Sequence, residues 1–158
     1  MAEIVALQSA SQDDLRTLNN AFAAETSYQS EDDWTRLIGQ ARFGYAVPPA
    51  AGFLIGMDQG ADYQSPNFLW FKARFDRFAY VDRIVIAASA HGQGLGRALY
   101  ERMFKDAKAS GFERVVAEVN AVPPNPTSLA LHERLGFAAI GEQAFDSGKS
   151  VRYFECRL

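Results

Sequence analysis

The chain has 158 residues, 48% of them hydrophobic and 22% charged, with a net charge of −3. That is enough material for one domain with its own core and excludes a disordered chain, while the acidic balance leaves no basic footprint for nucleic acid. One cysteine, Cys156, excludes an internal disulfide and a cysteine metal cluster, and neither a basic leader nor a membrane-length apolar run is present, so a cytoplasmic protein with no metal, nucleic-acid or membrane partner is expected.

Ile4 to Leu7 reads as a short first strand. Ser11 is a helix cap followed by Asp13 and Asp14, and Leu15, Leu18 and Phe22 fall at helical spacing, which predicts a helix over 12–25. Ser30 to Asp33 opens a second helix, with Trp34, Leu37 and Ile38 as its apolar face and Gly44 as its end. Tyr45 to Val47 and Gly52 to Met57 are strands on either side of Pro48-Pro49, and 60–67 is a loop. Ser65-Pro66 then starts a helical segment crowded with Phe68, Leu69, Trp70, Phe71, Phe75 and Phe78. These rings either pack the core or, in part (Tyr63, Trp70, Phe71, Phe75), line a pocket or a dimer contact.

Val81 to Ile86 is the central strand. His91-Gly92-Gln93-Gly94-Leu95-Gly96-Arg97 follows it and leads into a helix whose buried stripe is Leu95, Leu99, Met103 and Ala107, closed by Gly111. Arg114 to Asn120 is the next strand, and strand–helix–strand favours a right-handed parallel crossover. Pro123-Pro124 breaks it, Asn125 caps a short helix, and Phe137 to Gly141 and Val151 to Cys156 form a closing hairpin around 146–150.

Alternating glycines between a strand and a helix aim bare backbone N–H groups at one point, where the helix dipole adds positive charge, so the turn suits a phosphorylated ligand. A dinucleotide turn needs a glycine where Arg97 stands, and no Walker run exists. The spacing resembles the acetyl-CoA loop of the GNAT superfamily, [QR]-x-x-G-x-[GA], with Gly94 and Gly96 in place and His91 at the Gln/Arg position. Asn125 to Phe137 is similar to the second GNAT hallmark, N-x-x-[AS]-x-x-[LF]-Y-x-[KR]-x-G-F, matched by Asn125, Ser128, Leu131, Arg134, Gly136 and Phe137. Together the resemblance covers residues 45–158.

The resemblance implies one α/β (α+β) domain over 1–158: a central mixed, mostly antiparallel twisted sheet of six to seven strands flanked by about four helices. The helical insertion before the central strand is an addition to that plan. It implies acetyl-CoA as acyl donor, held by Ile84, Val85, Ile86, His91, Gly92, Gln93, Gly94, Leu95, Gly96, Arg97, Asn125, Ser128 and His132, with a backbone N–H near Ile84 to Ile86 polarising the thioester. It implies an N-acetyltransferase acting on a small-molecule or peptide amine by direct attack in a ternary complex. A catalytically weak acyl-CoA-binding or ligand-sensing module is the alternative.

The chemistry then asks for a base, because a free alkyl amine has a pKa near 10.4, and for an acid at the leaving thiolate. Glu118 and Asp82 are the candidate bases, and either can instead be a solvated or paired carboxylate. Asn120 is assigned to the strand face opposite Glu118. His132 stands where the family places a tyrosine acid; imidazole suits either proton role, and the plainer reading is a polar residue beside the cofactor sulfur. His91 orients the turn or faces solvent, and Arg97 and Arg83 offer charge toward the phosphate end. Cys156 lacks an activating partner, and the chain is expected as a monomer or homodimer.

Overall fold

A computed structural model describes residues 3–158. The described residues form seven strands and five α-helices: β1 (Val5–Ala6), α1 (Gln12–Ala21), α2 (Glu31–Gly39), β2 (Phe43–Val47), β3 (Gly52–Asp58), α3 (Pro66–Lys72), β4 (Ala79–Ile86), α4 (Leu95–Ala109), β5 (Arg114–Val122), α5 (Pro126–Arg134), β6 (Ala138–Ala144) and β7 (Ser150–Arg157). The strands make one mixed sheet in the order β1-β2-β3-β4-β5-β7-β6, antiparallel except where β4 meets β5. The five helices are the expected four and the helical insertion before the central strand, which is α3.

Strand alternation sorts the apolar residues onto two faces. One face carries Tyr45, Leu54, Val81, Val115, Ala117 and Phe154 against the α4 stripe Leu95, Leu99, Met103 and Ala107, with Leu131 and Leu135 of α5 at its margin. The other face carries Phe53, Ile55, Tyr80, Val116 and Tyr153 against Leu15 of α1, Trp34 and Leu37 of α2, and Phe68 and Phe71 of α3.

Two local expectations change. The first helix stops at Ala21 rather than 25 because Asn19 and Asn20 turn the chain back: Asn19 Nδ2 donates to Ser27 O at 2.8 Å and Asn20 Nδ2 to Gln29 O at 3.0 Å. The second helix ends at Gly39, and Gly44 lies inside β2, where a Cβ would sit 2.9 Å from Leu7 Cβ. The glycine serves close packing of the Leu7 turn on the sheet, not a helix stop. Phe68, Phe71 and Phe78 are fully buried, so the core reading holds for them, while Tyr63 lines the cleft described below.

β4 and β5 pair over only three rungs, Ala79↔Val115, Tyr80↔Val116 and Val81↔Ala117. Beyond them the two strands have no ladder between them. The register of β4 against β3 jumps at the same level, from Gly56↔Val81 to Ile55↔Arg83, which leaves Asp82 as an extra, bulged residue. A bulge bends its strand and re-aims a side chain, and this one turns Asp82 into the opening.

Candidate active site

The opening is a cleft of about 380 Å³. Its floor is Val81 to Ile84 on β4 and Ala117 to Asn120 on β5; its walls come from residues 24–27 after α1, from Tyr63 and Ser65 with the first residues of α3, Pro66 and Asn67, from Tyr100 on α4, from α5, and from Lys149 in the β6–β7 turn.

Glu118 sits just past the last β4–β5 rung. Its Oε1 accepts from Tyr80 Oη at 2.9 Å and from Asn67 Nδ2 at 3.3 Å, while Oε2 is buried with no partner among the described residues. Desolvation, reinforced by the nearby Asp82 charge and opposed by those hydrogen bonds, pushes the carboxyl up to about 8. Asn120, two residues along β5, also lines the cleft. A strand's side chains repeat every second residue, so it shares the Glu118 face, and its assignment to the opposite face is corrected.

Asp82 differs. Its Oδ1 accepts from Tyr63 Oη at 2.6 Å and its Oδ2 from Arg83 Nε at 2.7 Å, so both oxygens are taken. The Arg83 guanidinium is buried and also donates to Asn19 Oδ1 at 2.9 Å, which ties β4 to the last turn of α1. Its expected place at a phosphate end is therefore corrected: ion pairing with the bulged Asp82 holds it inside the cleft, away from the glycine turn.

His132 is 2% exposed. Its Nδ1 lies 2.7 Å from Ser128 O, which can only accept, so Nδ1 carries the proton and Nε2 accepts from Tyr100 Oη at 2.5 Å. Burial lowers the imidazole pKa, so the ring is held neutral. Tyr100 lies off the stripe predicted for α4, and nothing in the sequence signals its pairing with His132.

The glycine turn runs into α4, whose N-terminus has no capping side chain. Gly92 and Gly94 hold φ of +79° and +76°, and a Cβ on either would find nothing within 4 Å. The first-turn amides of α4 thus face open space across a surface without side chains, the cradle a diphosphate requires. Gly96 has a packing role, since a Cβ there would lie 3.1 Å from Leu131 Cδ2 of α5. His91 turns back, Nε2 2.9 Å from Ile86 O, and Arg97 lies exposed in an i,i+4 pair with Glu101 at 3.2 Å. Gln93 is exposed in the turn, and Leu95 is buried beneath it. Asn125 caps α5, accepting from Ser128 N at 3.2 Å.

On β4, Ala87 N donates to Ala51 O at 2.8 Å, which by alternation turns the Val85 peptide groups toward Phe53 on β3 and leaves those of Ile84 and Ile86 facing the gap left by β5. A glycine turn at one helix N-terminus, a bulged strand and a splayed parallel pair together frame the cleft of this α/β protein along β4.

The sequence matches the acetyltransferase (GNAT) family over residues 10–137, and the chain belongs to that family. It is similar to phosphinothricin N-acetyltransferase of Streptomyces viridochromogenes, 33% identical over 127 residues that cover 79% of this chain and 62% of that protein. It is also similar to the L-methionine sulfoximine/L-methionine sulfone acetyltransferase of Pseudomonas aeruginosa, 30% identical over 119 residues that cover 73% of this chain and 64% of that protein. The match thus spans a little under two thirds of either relative. Among solved structures, the ribosomal-protein-S18-alanine N-acetyltransferase of Escherichia coli has the same fold, with a TM-score of 0.70 at 20% identity over 99% of this chain and 94% of that one. Among the described residues, no helix is long and apolar enough to cross a membrane.

Proposed function

We propose that this chain is an acetyl-CoA-dependent N-acetyltransferase, folded as one domain, in which Glu118 takes the proton of a small amine acceptor that attacks the thioester directly. The observation that carries this reading is the buried, unpartnered Glu118 Oε2 in the cleft beside the splayed strands. A carboxyl pushed up to about 8 is a base matched to neutral pH, and an acceptor ammonium brings the hydrogen bonds that Oε2 lacks. Asp82, with both oxygens taken, is assigned to holding Arg83 and Tyr63 in place.

Acetyl-CoA supplies the acyl group as an activated thioester. The amides of Gly92 to Arg97 would hold its diphosphate, the Ile84 and Ile86 peptide groups would align its arm, and a β4 N–H would donate to the acyl carbonyl oxygen. The His132–Tyr100 pair would serve as the acid at the sulfur, the proton of its Oη–Nε2 hydrogen bond passing to the thiolate as the C–S bond breaks. Direct attack is favoured because Cys156 is buried and desolvation raises its thiol, which leaves it a poor nucleophile. The acceptor is proposed to be of the amino-acid type, because two relatives are named for phosphinothricin and methionine sulfoximine.

The test is free-thiol release from acetyl-CoA with phosphinothricin, methionine sulfoximine, the common amino acids and polyamines, beside thermal shifts with coenzyme A and NAD. Thiol release with an amino-acid-type amine and a rise in Tm with coenzyme A alone are expected. Coenzyme A binding without turnover on any amine would favour a ligand-sensing module instead. No rise in Tm with millimolar coenzyme A would end the transferase reading.

A further inference from the structure

The helix that interrupts the fold before β4 covers Glu118. Phe68 and Phe71 of α3 are buried against the Tyr80 ring at centroid distances of 5.5 and 5.7 Å, and Trp70 stacks on Tyr153 at 4.1 Å. Between these two contacts α3 sets Asn67, whose Nδ2 reaches Glu118 Oε1 at 3.3 Å and whose Oδ1 accepts from Tyr153 Oη at 2.8 Å. Tyr153 Oη also lies 2.9 Å from Gln143 Oε1, so its one proton is shared between two acceptors; with Glu118 ionised, the amide orientation that donates Nδ2 to the carboxylate is the one that avoids setting oxygen against oxygen.

We propose that Asn67 is a positioning residue for Glu118: held by Tyr153, its amide fixes the carboxyl so that Oε2 alone faces the acceptor. This rests on the reading of Glu118 as the base. The aromatic segment is then the housing of that base, and its rings serve to press Asn67 and Tyr80 onto one carboxylate oxygen while the other stays unpaired. The carboxylate is nearly unhydrated there, so a lost donor is not replaced by water as it would be at the surface.

The charges around Glu118 remain the same when Asn67 is changed. β4 brings Asp82, already paired with Arg83 at 2.7 Å. Burial keeps Tyr63, Tyr80, Tyr100 and Tyr153 protonated and His132 neutral. Glu25 and Lys149 stand exposed at the mouth. A change in the Glu118 titration on substituting Asn67 therefore reports the lost amide.

The experiment is a pH titration of the whole chain labelled with ¹³C-glutamate, the Glu118 signal being assigned by its loss in Glu118→Gln. Asn67→Leu fills the same space, keeps water out and removes the donor to the charged form. Its Glu118 midpoint is expected to rise by about half a unit to one unit from a wild-type value near 8. Tyr153→Phe, which frees the amide to turn, is expected to shift it the same way by less, and it takes the place of Asn67→Leu should that variant fail to fold. With an active acceptor, the acid limb of kcat/KM moves with the midpoint while KM for acetyl-CoA stays within twofold. A wild-type midpoint above 7 that stays within 0.2 unit in both variants, or falls, overturns the positioning role and leaves the base standing. A wild-type midpoint near 4.5 overturns the base itself and this proposal with it.

Discussion

The Tyr100 phenol and the His132 imidazole close a 2.5 Å hydrogen bond between α4 and α5, both side chains almost wholly buried. His132→Phe keeps the volume and the apolar contact with Phe137 but leaves the Tyr100 hydroxyl dry and unpaired, at a cost of about 1–3 kcal/mol. Tyr100→Phe added to it removes the orphaned group, so the double variant should be less destabilised than the sum of the two singles. Urea unfolding of the four proteins measures this, and strictly additive losses would deny the coupling.

Glu118→Gln should cost activity and gain stability. The loss of a general base lowers kcat by about 100-fold or more. The unfolded carboxyl titrates near 4.5 and the folded one near 8. Between those values the native state keeps a proton that the unfolded state has released, so wild-type stability falls as pH rises through the window and levels off above the folded value. The amide has no charge to bury. Relative to wild type, the Tm of Glu118→Gln should therefore be higher at pH 9 than at pH 4.5, by an amount reflecting a few kcal/mol. Equal Tm differences at both ends of the range would show that the carboxyl titrates normally.

Gly94→Ala separates backbone strain from ligand contact. Its φ of +76° disfavours any L side chain, at about 1–2 kcal/mol, while the new methyl meets nothing within 4 Å. The free protein should lose only that stability. The rise in Tm on adding coenzyme A should shrink much further, since the methyl stands where a diphosphate has to approach. An unaltered rise would place the phosphates elsewhere.

Gly141→Ala tests how tightly α3 is seated. A Cβ at Gly141 would lie 2.5 Å from Trp70 Cζ2, on rigid strand and ring atoms that cannot both give way. The indole has to leave its stacked position on Tyr153, with destabilisation of about 1–3 kcal/mol and a change in tryptophan fluorescence. Wild-type stability and emission together would mean that α3 sits loosely.

The glycine turn, the Asn125 cap and the existence of the strands at 81–86 and 114–120 were legible because each is a local demand of backbone or periodicity. What decided between the two carboxylates was not. Asp82 has both oxygens paired, by Tyr63 and Arg83, whereas Glu118 Oε2 has no partner among the described residues, a difference that no spacing encodes. Asn67 stands next to Pro66 in a stretch that reads as a helix start, and only packing brings it 51 positions along the chain to Glu118. The early end of α1 had a signal, the Asn19-Asn20 pair, but it becomes meaningful only when residues 27–29 return to meet those amides.

Three rungs are all that hold β4 to β5, so the sheet is mechanically two plates, one of β1 to β4 and one of β5, β7 and β6. An acyl donor seated in the crack between them, as proposed above, would take the place of a missing strand and splint the halves together. The free chain would then be the softer object of the two.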